Sequence, residues 1–452
     1  MHDRAGALLP LAMLAVMGLE LLHLFAGMAW ARGGAHIALL AVALLAIPRL
    51  GLREIYLLCL SASLGALLWV LYPEPGEGLR TALDQAVFLA AFVLLVSLIQ
   101  EAAMTSKAVS DVGMYLARQP GGRRFFGLFG GTMVMAVVFN MATITLLAPL
   151  IRRAAEKAAD DPLTPIRERR QLNALLRGFA WQVVWSPTAI APLAFLALVD
   201  GIDRGAWIAM GIGIAMVMMV IGWAEDRYFW RRFTQKGRAW PDLPRRAVWQ
   251  FLAVTAALAG LTGGIMVISG LAVPPALMAA SPIVMLGWLI TQGADLGPRL
   301  RTVMQEGLPR SAGMAVTLGC AGFVGIAASA LIPAADLAAW IGLDALRPWQ
   351  FLLGCTLAVV ILAQFALSPV MMAVFFGAML GTLPSLPADP TLTAVAVASG
   401  WAVASTFSPF ASGPIMLARI SGHSGPKMTY RWNTVYSVLT LAALAVFYVS
   451  VA

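Results

Sequence analysis

Long apolar runs separated by short charged segments make up most of this chain. The runs cover residues 7–31, 35–48, 54–72, 82–104, 125–151, 178–199, 206–223, 247–270, 274–293, 311–333, 350–383, 390–418 and 432–451. Most of them hold the roughly 20 residues that a helix needs to cross a hydrocarbon core about 30 Å thick. The pattern predicts an all-α polytopic membrane protein, multi-pass in the cell inner membrane, with the lipid bilayer as its surroundings.

The Lys and Arg residues predict which ends of these runs face the cytoplasm, because cytoplasmic loops hold the excess of positive charge. Suppose that the N-terminus is cytoplasmic and that 125–151 and 350–383 each return to the side they entered from. All of the 31 Lys and Arg residues then lie on the cytoplasmic side except Arg32, Arg80, Arg204 and Arg347. The charges therefore predict about eleven transmembrane helices and two re-entrant helical hairpins.

The first predicted hairpin, 125–151, carries no charged residue and has two arginines at each end. Its polar centre around Asn140 is where the chain would turn. Each arm then has about a dozen residues, too few to cross the membrane. The second, 350–383, has Gln364, Ser368 and Pro369 at its centre. A single long span with an error elsewhere in the topology is the alternative for the first segment.

Each hairpin is followed by an apolar run that contains the same motif, S-P-x-A-x-x-P. It begins at Ser186 in 178–199 and at Ser408 in 390–418, about half of the chain length apart. Proline removes a backbone donor and disturbs the preceding turn, so both helices should be broken there. The two runs have opposite predicted directions, which makes the halves inverted repeats. Broken helices at corresponding positions of such repeats are typical of a transporter's midplane binding site.

The same reasoning divides the chain into predicted segments. They are N-terminal scaffold helices (1–80), a first repeat (81–223), a basic cytoplasmic loop (224–246), scaffold helices (247–310) and a second inverted repeat (311–452).

Composition excludes several classes of protein. Apolar residues make up 60% of the chain and charged residues 12%, about half of the charged share of soluble domains. The net charge of +9 follows from the basic loops of a membrane protein and predicts no nucleic-acid partner. No glycine-rich phosphate loop, metal-ligand spacing or nucleophile–base pair is present, so we expect neither an enzyme nor a cofactor nor a metal site.

At these residues the chain resembles the ion transporter superfamily, above all the divalent anion/sodium symporters, with arsenite-efflux and sodium/proton antiporter families as relatives. The stretch FNMATITLLAPL (139–150) is similar to the first hairpin tip of those symporters, with Asn140 at the family's asparagine and Phe139 at its serine. AQFALSPVMMAVF (363–375) takes the place of the second tip. The resemblance implies a homodimer in which a transport domain moves against a scaffold in an elevator motion.

The candidate site combines the tips and the breaks. The residues expected to bind substrate are Asn140, Thr143, Ser186, Pro187, Thr188, Gln364, Ser368, Ser408, Pro409 and Ser412; those expected to bind the coupling cation are Asn140, Ala142, Gln182, Ser405 and Thr406. Neutral hydroxyl, amide and backbone N–H groups suit an anion at helix ends. Glu20, with His23, is the one acid in mid-span and could relay a proton.

These features predict a secondary transporter that moves a small anion, such as a carboxylate, coupled to Na⁺ or H⁺. Two alternatives stay open: an exporter of an oxyanion or neutral solute related to arsenite efflux, and the membrane subunit of a binding-protein-dependent transporter. A further alternative is a scaffold role without transport. It would be supported if mutation of both S-P-x-A-x-x-P motifs left the function intact.

The hairpin hypothesis can be tested by cysteine labelling in a cysteine-free background. Cysteines placed at Gly122 and Ala154 should both react with an impermeant maleimide from the cytoplasmic side only, because both hairpin ends return there. Labelling of the two positions from opposite sides would show that 125–151 crosses the membrane.

Overall fold

A computed structural model describes residues 2–71, 74–120, 123–157, 160–196, 198–233, 241–293, 295–332, 334–367, 369–383 and 385–452. Within them the α-helices are α1 (His2–Ala26), α2 (Ala29–Ala46), α3 (Leu52–Leu71), α4 (Pro75–Met104), α5 (Lys107–Ala117), α6 (Arg124–Phe139), α7 (Ala142–Glu156), α8 (Thr164–Trp181), α9 (Ile190–Leu196), α10 (Arg204–Trp230), α11 (Arg245–Ser269), α12 (Val273–Thr291), α13 (Leu296–Thr302), α14 (Leu308–Arg310), α15 (Ala312–Leu331), α16 (Ala334–Ile341), α17 (Pro348–Leu362), α18 (Pro369–Gly381), α19 (Pro390–Phe407), α20 (Ser412–Ser421) and α21 (Thr434–Val451). Short 3₁₀ turns cover Ile47–Arg49, Gln182–Val184, Arg231–Phe233, Leu343–Ala345 and Ala363–Phe365, and π-helical turns cover Val303–Gly307 and Lys427–Arg431.

The prediction of an all-α polytopic membrane protein is confirmed. Eleven helices of the described chain are long and apolar enough to cross a bilayer. The segments that form these eleven helices differ slightly from the predicted spans. The run 178–199 is divided between α8 and α9, whereas α17 with its 3₁₀ extension is itself long enough to span.

The chain divides into two compact units. Unit 1 comprises 1–106, 252–337 and 370–382, and unit 2 comprises 107–251, 338–369 and 383–452. Each predicted repeat is therefore shared between the units, and the boundaries of the two repeats expected from the sequence remain a prediction.

In unit 1, α4 is the central helix and packs against α1, α2, α3, α12 and α15. Its approach to α15 depends on a small residue, since a methyl group on Gly322 would lie 2.9 Å from the Gln85 carbonyl oxygen. Asp84 of α4 forms an ion pair with Arg32 of α2 and lies 2.8 Å from the His36 ring nitrogen. Glu20 of α1 is buried, at 5% exposure.

In unit 2, α8 is packed against α6 and α7 on one side and against α19 on another. Gly178 brings α8 so close to α6 that a methyl group there would overlap the Phe129 carbonyl and lie 2.9 Å from the Phe129 Cα. Helix α19 also packs against α17 and α21, where Thr356 donates to the Ala396 carbonyl (2.9 Å) and lies 2.8 Å from the Tyr448 hydroxyl. The two broken helices thus share one core.

Contacts within unit 2 join ends that the charge distribution assigns to the same side of the membrane. The Asp203 backbone N–H donates to Thr391 Oγ1 (3.1 Å), and both residues are predicted to lie outside. Arg152 donates to the Ser421 carbonyl, and both are predicted to be cytoplasmic. The relative topology agrees with these contacts, while the orientation of the N-terminus stays a prediction.

The prediction of a basic loop over 224–246 is wrong in its first part. Helix α10 continues to Trp230 and a 3₁₀ turn follows to Phe233. The helix persists because Asp226 is buried and accepts from the Arg170 Nε and Nη2 atoms at 2.9 and 2.6 Å. Residues 234–240 lie outside the described part of the chain.

The close approach of α6 and α8 can be tested by Gly178→Ala. The added methyl group must push against the Phe129 backbone, so we expect a loss of about 1–3 kcal/mol of stability, seen as a lower unfolding temperature in detergent. Gly130→Ala, in α6, is the matched control because its methyl group would meet nothing within 4 Å. Equal unfolding temperatures for the two variants would contradict this packing.

Candidate functional site

The first hairpin turns at Asn140, as predicted. Helix α6 ends at Phe139, α7 begins at Ala142, and Asn140 has φ +44° and ψ −121°. A positive φ is uncommon outside glycine, and this ψ lies outside the left-handed helical region in which asparagine is enriched. The arms have 16 and 15 residues, or about 24 and about 22 Å of helix, less than the hydrocarbon core of a bilayer.

The first break lies between α8 and α9. The Ser186 N–H ends the preceding turn by donating to the Gln182 carbonyl (2.9 Å). The Ser186 carbonyl accepts from the Ala189 N–H (3.2 Å), and its hydroxyl oxygen accepts from the Thr188 N–H (3.3 Å). Pro187 therefore occupies the second position of a four-residue turn, where its fixed φ is favourable. The next helix begins as the Leu193 N–H donates to the Ala189 carbonyl (3.2 Å).

The second break, between α19 and α20, has the same hydrogen bonds. The Ser408 N–H donates to the Ala404 carbonyl (2.8 Å), and the Ser408 carbonyl accepts from the Ala411 N–H (3.3 Å). The Ser408 hydroxyl oxygen accepts from the Phe410 N–H (3.2 Å), and the Ile415 N–H donates to the Ala411 carbonyl (3.1 Å). The motif S-P-x-A-x-x-P thus specifies one local structure twice. Its second proline falls in the first turn of the new helix, where no N–H is needed.

Each break is tied to the hairpin segment of its own half by a hydroxyl group. The Thr188 hydroxyl donates to the Val137 carbonyl, and the Ser408 hydroxyl donates to the Ala363 carbonyl (2.7 Å). Val137 lies three residues before Asn140, and Ala363 lies three residues before Ala366. Among the described residues, Asn140 and Ala366 are the two positions other than glycine with a positive φ. We call this pair of hydroxyl–carbonyl bonds the clasps.

At the second tip, unlike the first, the side-chain amide of Gln364 forms hydrogen bonds within the protein. The Gln364 Nε2 donates to the Val360 carbonyl (2.8 Å), and its Oε1 accepts from the Tyr430 hydroxyl (2.9 Å). The Tyr430 ring in turn packs on Phe407, at the end of α19. Gln364 is thus held by the protein itself. Ser368, also expected at this tip, lies outside the described residues.

Two predicted residues near the first tip and break have buried polar atoms that are unsatisfied within the described chain. They are Thr143 Oγ1 and Gln182 Oε1, in side chains that are 0% and 3% exposed. None of the side-chain hydrogen bonds between described residues uses the half-buried Asn140 amide either. Such groups are costly to bury without a partner, so this part of the site has capacity for a ligand.

The remaining predicted residues have packing positions. Ala142, Ser405 and Pro409 are buried, whereas Pro187 and Ser412 are partly exposed beside the breaks. The Thr406 hydroxyl donates to the Val403 carbonyl (2.9 Å) of its own helix and lies 3.3 Å from Ser437 Oγ. The two halves meet where Gly413 of α20 packs on α8, with Leu176 and Phe179 both 3.3 Å from the position of a methyl group.

A cation in this region would have to be held by neutral oxygen atoms. Within the described ranges, no cluster of three or more His, Cys, Asp or Glu side chains could hold a metal ion. The amide oxygen of Gln182 and the hydroxyl oxygen of Thr143 are neutral donors of this kind, and both are buried without a partner among the described residues.

Sequence reasoning missed Arg177 of α8, which is 1% exposed. Its Nε donates to Asn433 Oδ1 (2.8 Å), its Nη1 donates to Glu225 Oε2 (2.8 Å), and its guanidinium lies 4.0 Å from the Tyr436 ring centroid. These partners join α8 to α10 and α21. An arginine directly before the apolar run 178–199 was the available signal, but its partners are distant in sequence.

Comparison with known proteins finds no matching family model and no matching curated protein. Solved structures do match. The Alcanivorax borkumensis YdaH transporter, described as having an unusual topology, has a TM-score of 0.56 and 17% identity over 90% of this chain and 97% of that chain. Neisseria gonorrhoeae MtrF, described with a class of antimetabolite efflux pumps, has a TM-score of 0.52 and 16% identity over 80% and 81%. The chain therefore shares its polytopic helical fold with these two transporters.

The clasp at the second break can be tested by Ser408→Ala. Loss of the hydroxyl leaves the buried Ala363 carbonyl without this donor, so we expect a destabilisation of about 1–3 kcal/mol in thermal unfolding. Thr393→Val is the control in the same helix, because its buried hydroxyl donates to the carbonyl of Asp389, four residues earlier. If the Ser408 clasp does not contribute to stability, the two variants will unfold at the same temperature.

Proposed function

We propose that this protein is a secondary active transporter that moves a small anion of the carboxylate class across the inner membrane with Na⁺ or H⁺ as the coupling ion. The observation that carries the proposal is the pair of identically hydrogen-bonded helix breaks in unit 2, each clasped to its hairpin segment. Broken helices at corresponding positions of two halves mark midplane binding sites in transporters. The fold shared with YdaH and MtrF, both transporters by description, supports the same class.

The chemistry at the breaks favours an anion. Asn140, Ser412 and the backbone around the turns offer hydrogen-bond donors, and carboxylates bind at helix N-termini without a formal positive charge. Helix α20, which begins at Ser412 directly after the second break, has ten residues and therefore a developed dipole. An organic cation would find no carboxylate among the residues assigned to the site.

Coupling by Na⁺ is the more specific form of the proposal. The unsatisfied oxygens of Thr143 and Gln182 lie on elements that flank the first tip and break. A sodium ion would satisfy these atoms, whereas coupling to protons would need a titratable group that none of the assigned residues supplies.

The division into two units supports an elevator-type alternating-access mechanism. Both breaks and the whole first hairpin belong to unit 2. We infer that unit 2 is the transport domain that carries the solute, that unit 1 is the scaffold, and that the protein works as a homodimer.

Export is a second candidate, because MtrF belongs to a described class of efflux pumps. The solute would then be an oxyanion or a neutral compound that the uncharged residues at the breaks could also hold. Flux measured in proteoliposomes with one fixed orientation of the protein separates export from uptake.

The transport site is tested most sharply at Asn140. Asn140→Ala removes the amide and also places alanine at a positive φ, whereas Asn140→Gly removes the amide and keeps the backbone relaxed. If the amide binds solute, both variants should lose at least about tenfold in transport, since a lost hydrogen bond to a charged ligand costs about 1.5–3 kcal/mol. Wild-type flux in Asn140→Gly would exclude the amide from the site.

Identification of the solute uses thermal unfolding of the detergent-solubilised protein against small carboxylates, sulfate and oxyanions. Each compound is tested in sodium and in potassium buffer. A ligand that binds only the folded state raises the unfolding temperature, and the rise grows with the logarithm of the ligand concentration above its dissociation constant. Stabilisation by one anion in sodium alone is the expected result, and a uniformly flat screen would contradict an anion site.

A further inference from the structure

A basic cavity of about 330 Å³ lies within unit 2 at the base of the first hairpin, at the opposite end of its arms from Asn140. It is formed where α5 and α7 end and where α6 and α8 begin. Four cationic side chains line it, namely Arg118, Arg124, Lys157 and Arg167, together with the single acid Glu168 and with Gln171. Nothing in the transport proposal uses this cavity.

Two of the four cations are exposed and uncommitted. Among the described residues, no ion pair or side-chain hydrogen bond engages Arg118 or Lys157. Arg124 is fixed in place, because its Nε donates to the Gln119 carbonyl at 2.8 Å. Gln171 is fixed in the same way by a bond from its Nε2 to the Ala117 carbonyl at 2.9 Å. The cavity thus combines two side chains that are fixed by internal hydrogen bonds, Arg124 and Gln171, with two exposed cations that have no internal partner within the described chain, Arg118 and Lys157.

Arg167 supplies an unused donor. Its Nη1 lies 2.7 Å from Asp161 Oδ2, but its Nη2 is buried and has no acceptor among the described residues. Asp161 is ionised in this pair, since the Leu163 backbone N–H and then the Arg167 guanidinium hold the pKa of its carboxyl below the ordinary value. Arg167 is therefore positioned by one carboxylate and still offers an N–H to a second acceptor.

The charge balance of the cavity favours an anion. Glu168 is the one acid in its lining and already faces His423, 3.6 Å away. The first residues of α6 and α8, Arg124 and Thr164, also line it, so two helix N-termini add partial positive charge. The ends of α5 and α7 add the opposite partial charge, and the full charges of the four cations therefore decide the sign.

We propose that this cavity binds the phosphate group of an anionic phospholipid headgroup. Arginine forks and lysine are the side chains that recognise phosphate, and basic pockets between helices at the cytoplasmic face bind such headgroups. The charge distribution assigns Arg118, Arg124, Lys157 and Arg167 to that face, where anionic lipids are at hand. The lipid would hold the base of the first hairpin against α5 and α8, independently of what the protein transports.

The test is native mass spectrometry of the full chain in detergent, titrated with phosphatidylglycerol or phosphatidylcholine. The test variant is Arg118→Gln with Lys157→Gln, which removes the two uncommitted charges and no internal bond. The control is Arg153→Gln with Arg246→Gln, which removes two exposed charges assigned to the same face but outside the cavity lining.

We expect wild type and control to retain one phosphatidylglycerol per chain in preference to phosphatidylcholine. The test variant should bind it about tenfold or more weakly, since each basic residue near an anionic headgroup contributes about 1 kcal/mol. Equal weakening in the control, or no preference for the anionic lipid in the wild type, would overturn the proposal.

A parallel titration with inorganic phosphate identifies the source of the phosphate group. If millimolar phosphate leaves the bound lipid in place, the headgroup is the ligand, as we propose. If phosphate displaces the lipid and also raises the unfolding temperature of the wild type but not of the test variant, the cavity is a site for a soluble phosphate compound, and the lipid assignment is wrong.

Discussion

The arrangement of unit 2 depends on one kind of interaction, a hydroxyl group that donates to a backbone carbonyl near a hairpin turn. Thr188 serves the Val137 carbonyl and Ser408 serves the Ala363 carbonyl. Irregular backbone at membrane depth is tolerated only where the protein or enclosed water satisfies its polar groups. The clasps meet this constraint because a hydroxyl group at each helix break donates to a backbone carbonyl beside a neighbouring turn. Each irregular segment thus satisfies a polar group of the other.

This constraint also explains why the breaks are so similar in detail. A serine at the first motif position supplies an N–H, a carbonyl and a hydroxyl, and all three are used at Ser186 and at Ser408. The following proline fits the turn that the serine closes. The uncharged and partly unsatisfied groups that remain nearby, at Thr143 and Gln182, are then available to a solute or an ion.

Much of this was predictable, because it rests on local chemistry. The turn at Asn140 follows from a polar residue at the centre of an uncharged run that is too short to form two membrane-crossing helices. The breaks follow from the paired prolines. The identity of the clasping hydroxyls was not predictable, since Thr188 and Ser408 occupy different motif positions and their partners lie 40 or more residues away. The partners of Arg177 and Gln364, and the helical start of 224–246, depend on tertiary contacts in the same way.

If both breaks form one solute site, hydrogen–deuterium exchange should detect the bound solute at both. Peptides covering 182–193 and 404–415 are followed with and without the anion that stabilises the protein. We expect both segments to exchange more slowly when the anion is bound, while the exchange of α3 in unit 1 is unchanged. Protection of only one break, or of neither, would contradict a shared site.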